Sequence, residues 1–193
     1  MRKDALRNRD TIITATRQLL AEHGPDVSME MIAASAGLAV GTLYCHYRTK
    51  AELITAAIED SLRQMAELAY MAVTAIGTGA DPGDELRELL EGIANLGAEN
   101  RAVRSAARSL GLPEHPGPDL EPPLPESPLR VLVSLIDRVL EAGRAAGVVR
   151  QDVTRVDLAV LLRGVLDIEL DEAERTRYIE IILTGLRPPT DAR

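Results

Sequence analysis

The chain has no tryptophan, no phenylalanine and a single cysteine. One thiol, Cys45, excludes an internal disulfide framework and fits a reducing compartment. It also leaves no soft ligand set: His23, His46 and His115 are far apart in sequence, so neither a metal nor a cofactor is expected. Cys45 and His46 are adjacent and point about 100° apart on a helix, so they are not a nucleophile and its base, and no enzyme chemistry is expected. Charge-free runs such as Leu68–Ala80 fall short of the roughly 20 residues that span a bilayer. Met1-Arg2-Lys3-Asp4 is not followed by an apolar signal-peptide core. No membrane association is expected, and the cytoplasm is the expected location.

What remains is helical material. The apolar 46% of the chain is drawn largely from Ala, Leu, Val and Ile, which pack well in helices, and an all-α class follows. At 193 residues the chain suits a small head and a larger body and can bury a core without disulfides or metals. The net charge of -8 splits unevenly: residues 1–50 hold seven Lys or Arg against five Asp or Glu, and residues 51–193 fifteen against twenty-five. Only the head can approach phosphate without strong repulsion.

Periodicity divides the chain into about nine helices. The first runs from about Leu6 to His23, with Ile12, Thr16, Leu19 and Leu20 on one face, and Gly24-Pro25 stops it. Ser28 caps a helix carrying Met31, Ile32 and Ala33; Ala36-Gly37 is a small-residue turn; Val40 to Tyr47 is a third helix. Thr49 opens a long helix through a capping box with Glu52. Its stripe of Ile54, Ile58, Met65, Leu68, Ala72 and Ile76 reaches Gly77 and Gly79, about 40 Å at 1.5 Å per residue. Leu86, Leu89, Leu90 and Ile93 mark a fifth helix, and Val103, Ala106, Ala107 and Leu110 a sixth. Seven of the eleven prolines fall between Pro113 and Pro128, where an exposed loop is expected. A seventh helix carries Leu129, Leu132, Val133, Ile136, Val139 and Leu140 and finishes at Gly147. Thr154 with Asp157, and Asp171 with Glu174, cap two final helices.

Two short helices across a tight Gly-containing turn, followed at once by a capped long helix, form a helix-turn-helix pattern. With Leu43 aimed at the core, Tyr47 falls beside it, Gly41 and Cys45 face away, and Thr42 and Tyr44 flank the exposed side. That narrow outward face suits close approach to base edges in a DNA groove. Ala39, Val40, Gly41 and Cys45 are the expected base readers. For Val40 core packing is the equal alternative, and Cys45 is read as a small groove or packing residue rather than a redox switch.

The run Arg9-Asp10-Thr11-Ile12-Ile13-Thr14-Ala15-Thr16, then Leu19-Leu20, Gly24, Ile32-Ala33, Ala36-Gly37-Leu38, Gly41-Thr42-Leu43-Tyr44, His46-Tyr47 and Lys50-Ala51-Glu52-Leu53 resembles the TetR family in order and spacing over about residues 9–54. Thr16 stands where Ala is usual, Leu20 and Tyr47 where Phe is usual, and Ala39 where Ser or another cap is common. The resemblance implies a three-helix DNA-binding head, residues 1–50, joined by the long helix to an effector-binding and dimerisation body, residues 51–193. It implies that Ser28 and Thr42 bond phosphate or base edges, that Tyr44 contacts phosphate, that His46 belongs to the same face, and that Lys50 pairs with phosphate. For Lys50 the helix dipole and the ammonium both favour an anion.

The body resembles the family's regulatory domain loosely, through Leu140-Glu141-Ala142-Gly143, Gly147-Val148-Val149-Arg150-Gln151-Asp152 and Asp157-Leu158-Ala159. The function implied is a ligand-responsive repressor that binds a palindromic double-stranded operator as a homodimer and is released by a small, largely apolar effector. Met65, Leu68, Leu89, Ile93, Ala106, Leu110, Leu132 and Ile136 are the expected effector contacts, because Ala and Met positions leave or reshape cavities between helices, with Tyr70 the aromatic on hand. Leu161, Val165, Tyr178, Ile179, Ile182 and Leu186 are expected either at the dimer interface or in the core of one chain. Glu169 either reaches water or is a buried carboxylate that selects a cation. A constitutive repressor without effector and a helical adaptor that binds no DNA are the other functions this pattern allows.

Overall fold

A computed structural model describes residues 2–113 and 127–189, and among them the chain forms nine α-helices, one short 3-10 turn and no strand. The helices are α1 Arg2–His23, α2 Met29–Ser35, α3 Val40–His46, α4 Lys50–Gly77, α5 Pro82–Glu99, α6 Arg101–Ser109, α7 Pro128–Ala145, α8 Arg155–Asp167 and α9 Glu172–Leu186; the turn is Gly24–Asp26. α1 starts four residues before the expected Leu6. Its first residues are polar and hold no helix breaker, so the apolar period marked only the stretch that packs inward. The proline-rich stretch expected as a loop lies outside the described residues except at its ends, and there Pro128 takes the first position of α7 behind the Ser127 cap.

Packing divides the chain into two compact units, one of Met1–Ser61 with Asn100–His115, the other of Leu62–Glu99 with Pro116–Arg193. The expected boundary at residue 50 therefore does not follow the packing. The first stretch of α4 contributes Leu53, Ile54, Ala56 and Ala57 to the core of the first unit, and α6 adds Val103, Ala106 and Ala107 to it. The rest of that core is Ile12, Ile13, Leu20, Val27, Met29, Ile32, Ala33, Leu43 and Tyr47. Met29 is the buried methionine of α2, and Met31 is exposed. Thr16, in place of the family's Ala, is wholly buried, and its hydroxyl donates to the Ile12 carbonyl at 2.7 Å. That bond satisfies the one polar atom the substitution brings inside. The next residue, Arg17, donates to Asp60 at 2.9 Å and to Ser61 at 3.3 Å, tying α1 to α4.

The second unit buries Ala66, Ala69 and Ala72 of α4 with Leu86, Leu89, Leu90 and Ile93 of α5 and the inward stripes of α7, α8 and α9. Small residues set the close approaches. A Cβ on Gly143 of α7 would stand 2.7 Å from Cγ2 of Val149, a fully buried side chain that branches at Cβ and has little rotamer freedom. Both sequence-expected caps form as reciprocal boxes, Thr154 with Asp157 and Asp171 with Glu174. The hydroxyl and amide of Thr154 hold the Asp157 carboxyl below its ordinary value, so the α8 cap is strongest with that group ionised. Glu169 follows the end of α8 and is exposed, which rules out the buried carboxylate.

The Gly143 contact sets a stability test. Gly143→Val should cost about 1–3 kcal/mol by overpacking, since Val gains little helix propensity over Gly to offset it. Chemical denaturation would show the midpoint fall; a midpoint equal to that of the unsubstituted chain would mean the seam between Gly143 and Val149 is loose.

Candidate nucleic-acid interface

α3 has seven residues and no side-chain cap: Ala39 is extended at φ -64, ψ 140, and starts the helix only through its carbonyl, which accepts from Thr42 at 2.8 Å and Leu43 at 3.3 Å. A helix this short is not stable alone, so packing must hold it. Leu43 is completely buried, and Tyr47, which ends the helix in extended backbone, is buried beside it. Burial pushes the Tyr47 phenol above its ordinary value, against the pull of Arg9, so the ring sits as a neutral core residue.

The preceding turn fixes the angle at which α3 leaves α2. Gly37 adopts φ +67, which residues with a Cβ rarely take, and the amide of Leu38 returns to the Ala33 carbonyl at 2.9 Å. At the other end of α2, Ser28 Oγ accepts from the Met31 amide at 3.2 Å as the expected cap.

The outward face of α3 is as the helical wheel places it. Gly41, Tyr44 and Cys45 are exposed, Thr42 and His46 are half-buried, and Ala39 is exposed at the start. Val40 is 37% exposed, so it joins this surface rather than the core. No atom lies within 4 Å of the position a Gly41 Cβ would occupy, so the face opens directly to whatever approaches.

Three features of this surface were not read from the sequence. The Tyr44 hydroxyl, on a side chain 42% exposed, lies 3.5 Å from Oε1 of Glu30 on α2. Lys50 Nζ donates to the Pro25 carbonyl, so the expected phosphate partner also ties α4 to the 3-10 turn. Glu52 accepts from the Arg48 amide at 2.8 Å instead of the Thr49 amide, while Thr49 Oγ1 caps the Glu52 amide at 3.1 Å as expected. Glu30 stands two residues past the Ser28 cap, about 200° around the helix, so no spacing in the sequence marked it as part of this surface. Arg48, exposed between α3 and α4, adds a cation to the surface.

In the second unit the expected effector residues only partly converge. Leu89, Ile93 and Leu132 are in its core, with Met65, Leu68 and Ile136 packed against them. Ala106 is instead buried in the core of the first unit, and Leu110 is exposed at the end of α6. Periodicity showed that both are apolar but not that α6 packs on α1 and the 3-10 turn. Tyr70 is 62% exposed on α4 and does not line that core. A solvent-open recess of about 670 Å³ lies elsewhere, among Val149, Arg150, Gln151, Asp152, Thr184 and Arg187.

The expected dimer residues also separate. Val165 of α8 and Ile179, Ile182 and Leu186 of α9 are buried within the chain, the last three because, with Leu183, they form the i, i+3, i+4 and i+7 inward stripe of α9. Leu161 and Tyr178 are exposed, as are Val160, Ile168 and Ile181, which the sequence reading did not select. No helix among the described residues is long and apolar enough to cross a membrane.

Known proteins share this arrangement. The family described as "Bacterial regulatory proteins, tetR family" matches residues 12–57, and "Transcriptional regulator SbtR-like, C-terminal domain" matches residues 81–188. An HTH-type transcriptional regulator of Staphylococcus aureus is 40% identical over 63 residues, which span 32% of this chain and 34% of that protein, about a third of its length. A TetR transcription regulatory protein from Mycobacterium vanbaalenii superposes with a TM-score of 0.70 at 27% identity, covering 97% of this chain and 99% of that one. A solved gamma-butyrolactone receptor, described as ArpA-like, superposes with a TM-score of 0.64 at 27% identity, covering 97% and 92%. With a helix-turn-helix head and a regulatory body both matched, the chain belongs to the TetR family of DNA-binding transcriptional regulators.

Proposed function

We propose that the chain is a ligand-responsive repressor that binds a palindromic operator as a homodimer and is released by a small, largely apolar effector. The observation that carries this reading is the face of α3: Gly41, Tyr44 and Cys45 exposed on a helix pinned from behind by Leu43. Small side chains there let the backbone approach base edges, while Ser28, Thr42, Tyr44 and Lys50 supply donors for phosphate. In this division of labour residues 1–50 read DNA and residues 51–193 sense the effector and dimerise.

The dimer reading is supported by the exposed apolar side chains of the last two helices, Val160 and Leu161 on α8 and Tyr178 and Ile181 on α9, which a two-fold partner would cover. The effector reading is supported by the similarity to a protein described as a gamma-butyrolactone receptor, which takes its name from a small molecule. Met65, Leu68, Leu89, Ile93, Leu132 and Ile136 remain the contacts proposed for such a ligand, with aliphatic contact dominating because the chain has no Phe or Trp.

Two identical heads must meet half-sites roughly 34 Å or a multiple apart, so light scattering of a complex with a palindromic duplex should return two chains per duplex. Lys50→Ala should weaken binding to every duplex and flatten the salt dependence by about one unit of slope per subunit. Tight binding of one chain to a single half-site, or an unchanged salt slope, would contradict the assignment.

A ligand that releases DNA must be bound less tightly by the DNA complex, by the same factor, about 5- to 150-fold for a coupling of 1–3 kcal/mol. A gamma-butyrolactone series titrated into free and duplex-bound protein, followed by thermal shift and fluorescence anisotropy, should show this reciprocity. Stabilisation of the free protein with no loss of bound duplex would contradict release by that class of ligand.

A further inference from the structure

The helix-turn-helix surface carries one group that opposes its proposed task. Glu30 is exposed on α2 with its carboxylate 3.5 Å from the Tyr44 hydroxyl. Ser28, the cap of the same helix, accepts from the Met31 amide through its Oγ. One of the hydroxyls assigned to phosphate contact, that of Tyr44, therefore faces a carboxylate.

We propose that Glu30 restrains phosphate contact by this surface, drawing the Tyr44 hydroxyl towards itself and placing a negative charge where a DNA backbone would arrive. The inference rests on the reading of α3 as the DNA-contacting helix. A hydroxyl has a single proton to donate, and a phosphate oxygen only accepts, so a hydroxyl committed to Glu30 presents its lone pairs to the phosphate. The carboxylate is ionised in this setting: its own backbone amide and the Ser28 hydroxyl hold it below the ordinary glutamate value. Phosphate contacts carry no sequence information, so the restraint acts equally on all DNA. It lowers affinity for sequences that offer the backbone alone and leaves the base-reading contacts of α3 to decide where the protein stays. The head's small positive balance, seven cations against five anions, fits a surface tuned against indiscriminate binding.

The test is a double-substitution cycle in the full-length protein, with one duplex selected by the wild type from a random library and one unrelated duplex of the same length, each measured across a range of salt. Glu30→Ala should tighten both duplexes by a similar factor, about threefold per subunit, as expected from removing one like charge near phosphate in water. Tyr44→Phe should cost less than about twofold in the wild type but about fivefold or more alongside Glu30→Ala, because only there is the phenol free to donate to phosphate. An equal cost of Tyr44→Phe in both backgrounds would overturn the proposal, as would weaker binding by Glu30→Ala. An effect of Glu30→Ala confined to the selected duplex would also overturn it, by making Glu30 a base reader. If no variant and no wild type bound any duplex, the DNA-contact reading beneath the inference would fall with it.

Discussion

Everything this protein is proposed to do at DNA depends on one buried side chain. α3 is a seven-residue helix without a side-chain cap, and such a helix has no stability of its own. Leu43, wholly buried among the side chains of α1, α2 and the start of α4, converts that fragment into a fixed surface. Burying a leucine is worth about 1.5–3 kcal/mol, comparable to the cost of ordering a few residues, so the anchor and the helix stand or fall together. Because 100° separates successive residues, fixing Leu43 inward also fixes Gly41 and Cys45 outward. The family's function is thus written as a rotation, with one residue setting which face meets solvent.

The same logic of small, stiff parts extends through the second unit. Without Phe or Trp the core is filled by aliphatic residues, and helices come close where alanine or glycine permits, as with Ala66, Ala69 and Ala72 on α4 and Gly143 on α7. Polar groups appear where they fasten helices: Arg17 with Asp60 between α1 and α4, Arg155 with Asp137 between α8 and α7 at 3.1 Å, and Arg87 with Glu180 between α5 and α9. Partly exposed pairs of this kind add modest energy, and each ties together two helices whose apolar faces are chemically alike.

Local chemistry made the head legible from sequence, and long-range packing hid much of the body. Ser28, Thr154 and Asp171 cap helices because capping needs residues only three positions apart, and Gly37 marks a turn because its backbone requires it. The outward set of α3 follows from one periodic argument once Leu43 is taken as core, and even the exposure of Val40, left open by the wheel, is a matter of one helix. By contrast, Ala106 and Ile182 are apolar at helical spacing whatever they pack against, so assigning them to an effector site and a dimer face required knowing which helices meet. The bond between Glu30 and Tyr44 crosses 14 positions and two elements, which no single-helix pattern encodes.

The single cysteine offers the most direct test of the central claim that the outward face of α3 enters a DNA groove. Cys45 is exposed on that face and is the sole thiol in the chain, so its alkylation rate reports access to this one spot. With a saturating duplex selected from a random library, labelling of Cys45 by a maleimide should slow by at least about tenfold relative to the free protein, the protection expected of a residue closed into the groove. An unchanged rate under conditions in which the duplex is fully bound would place the contact elsewhere and contradict the account.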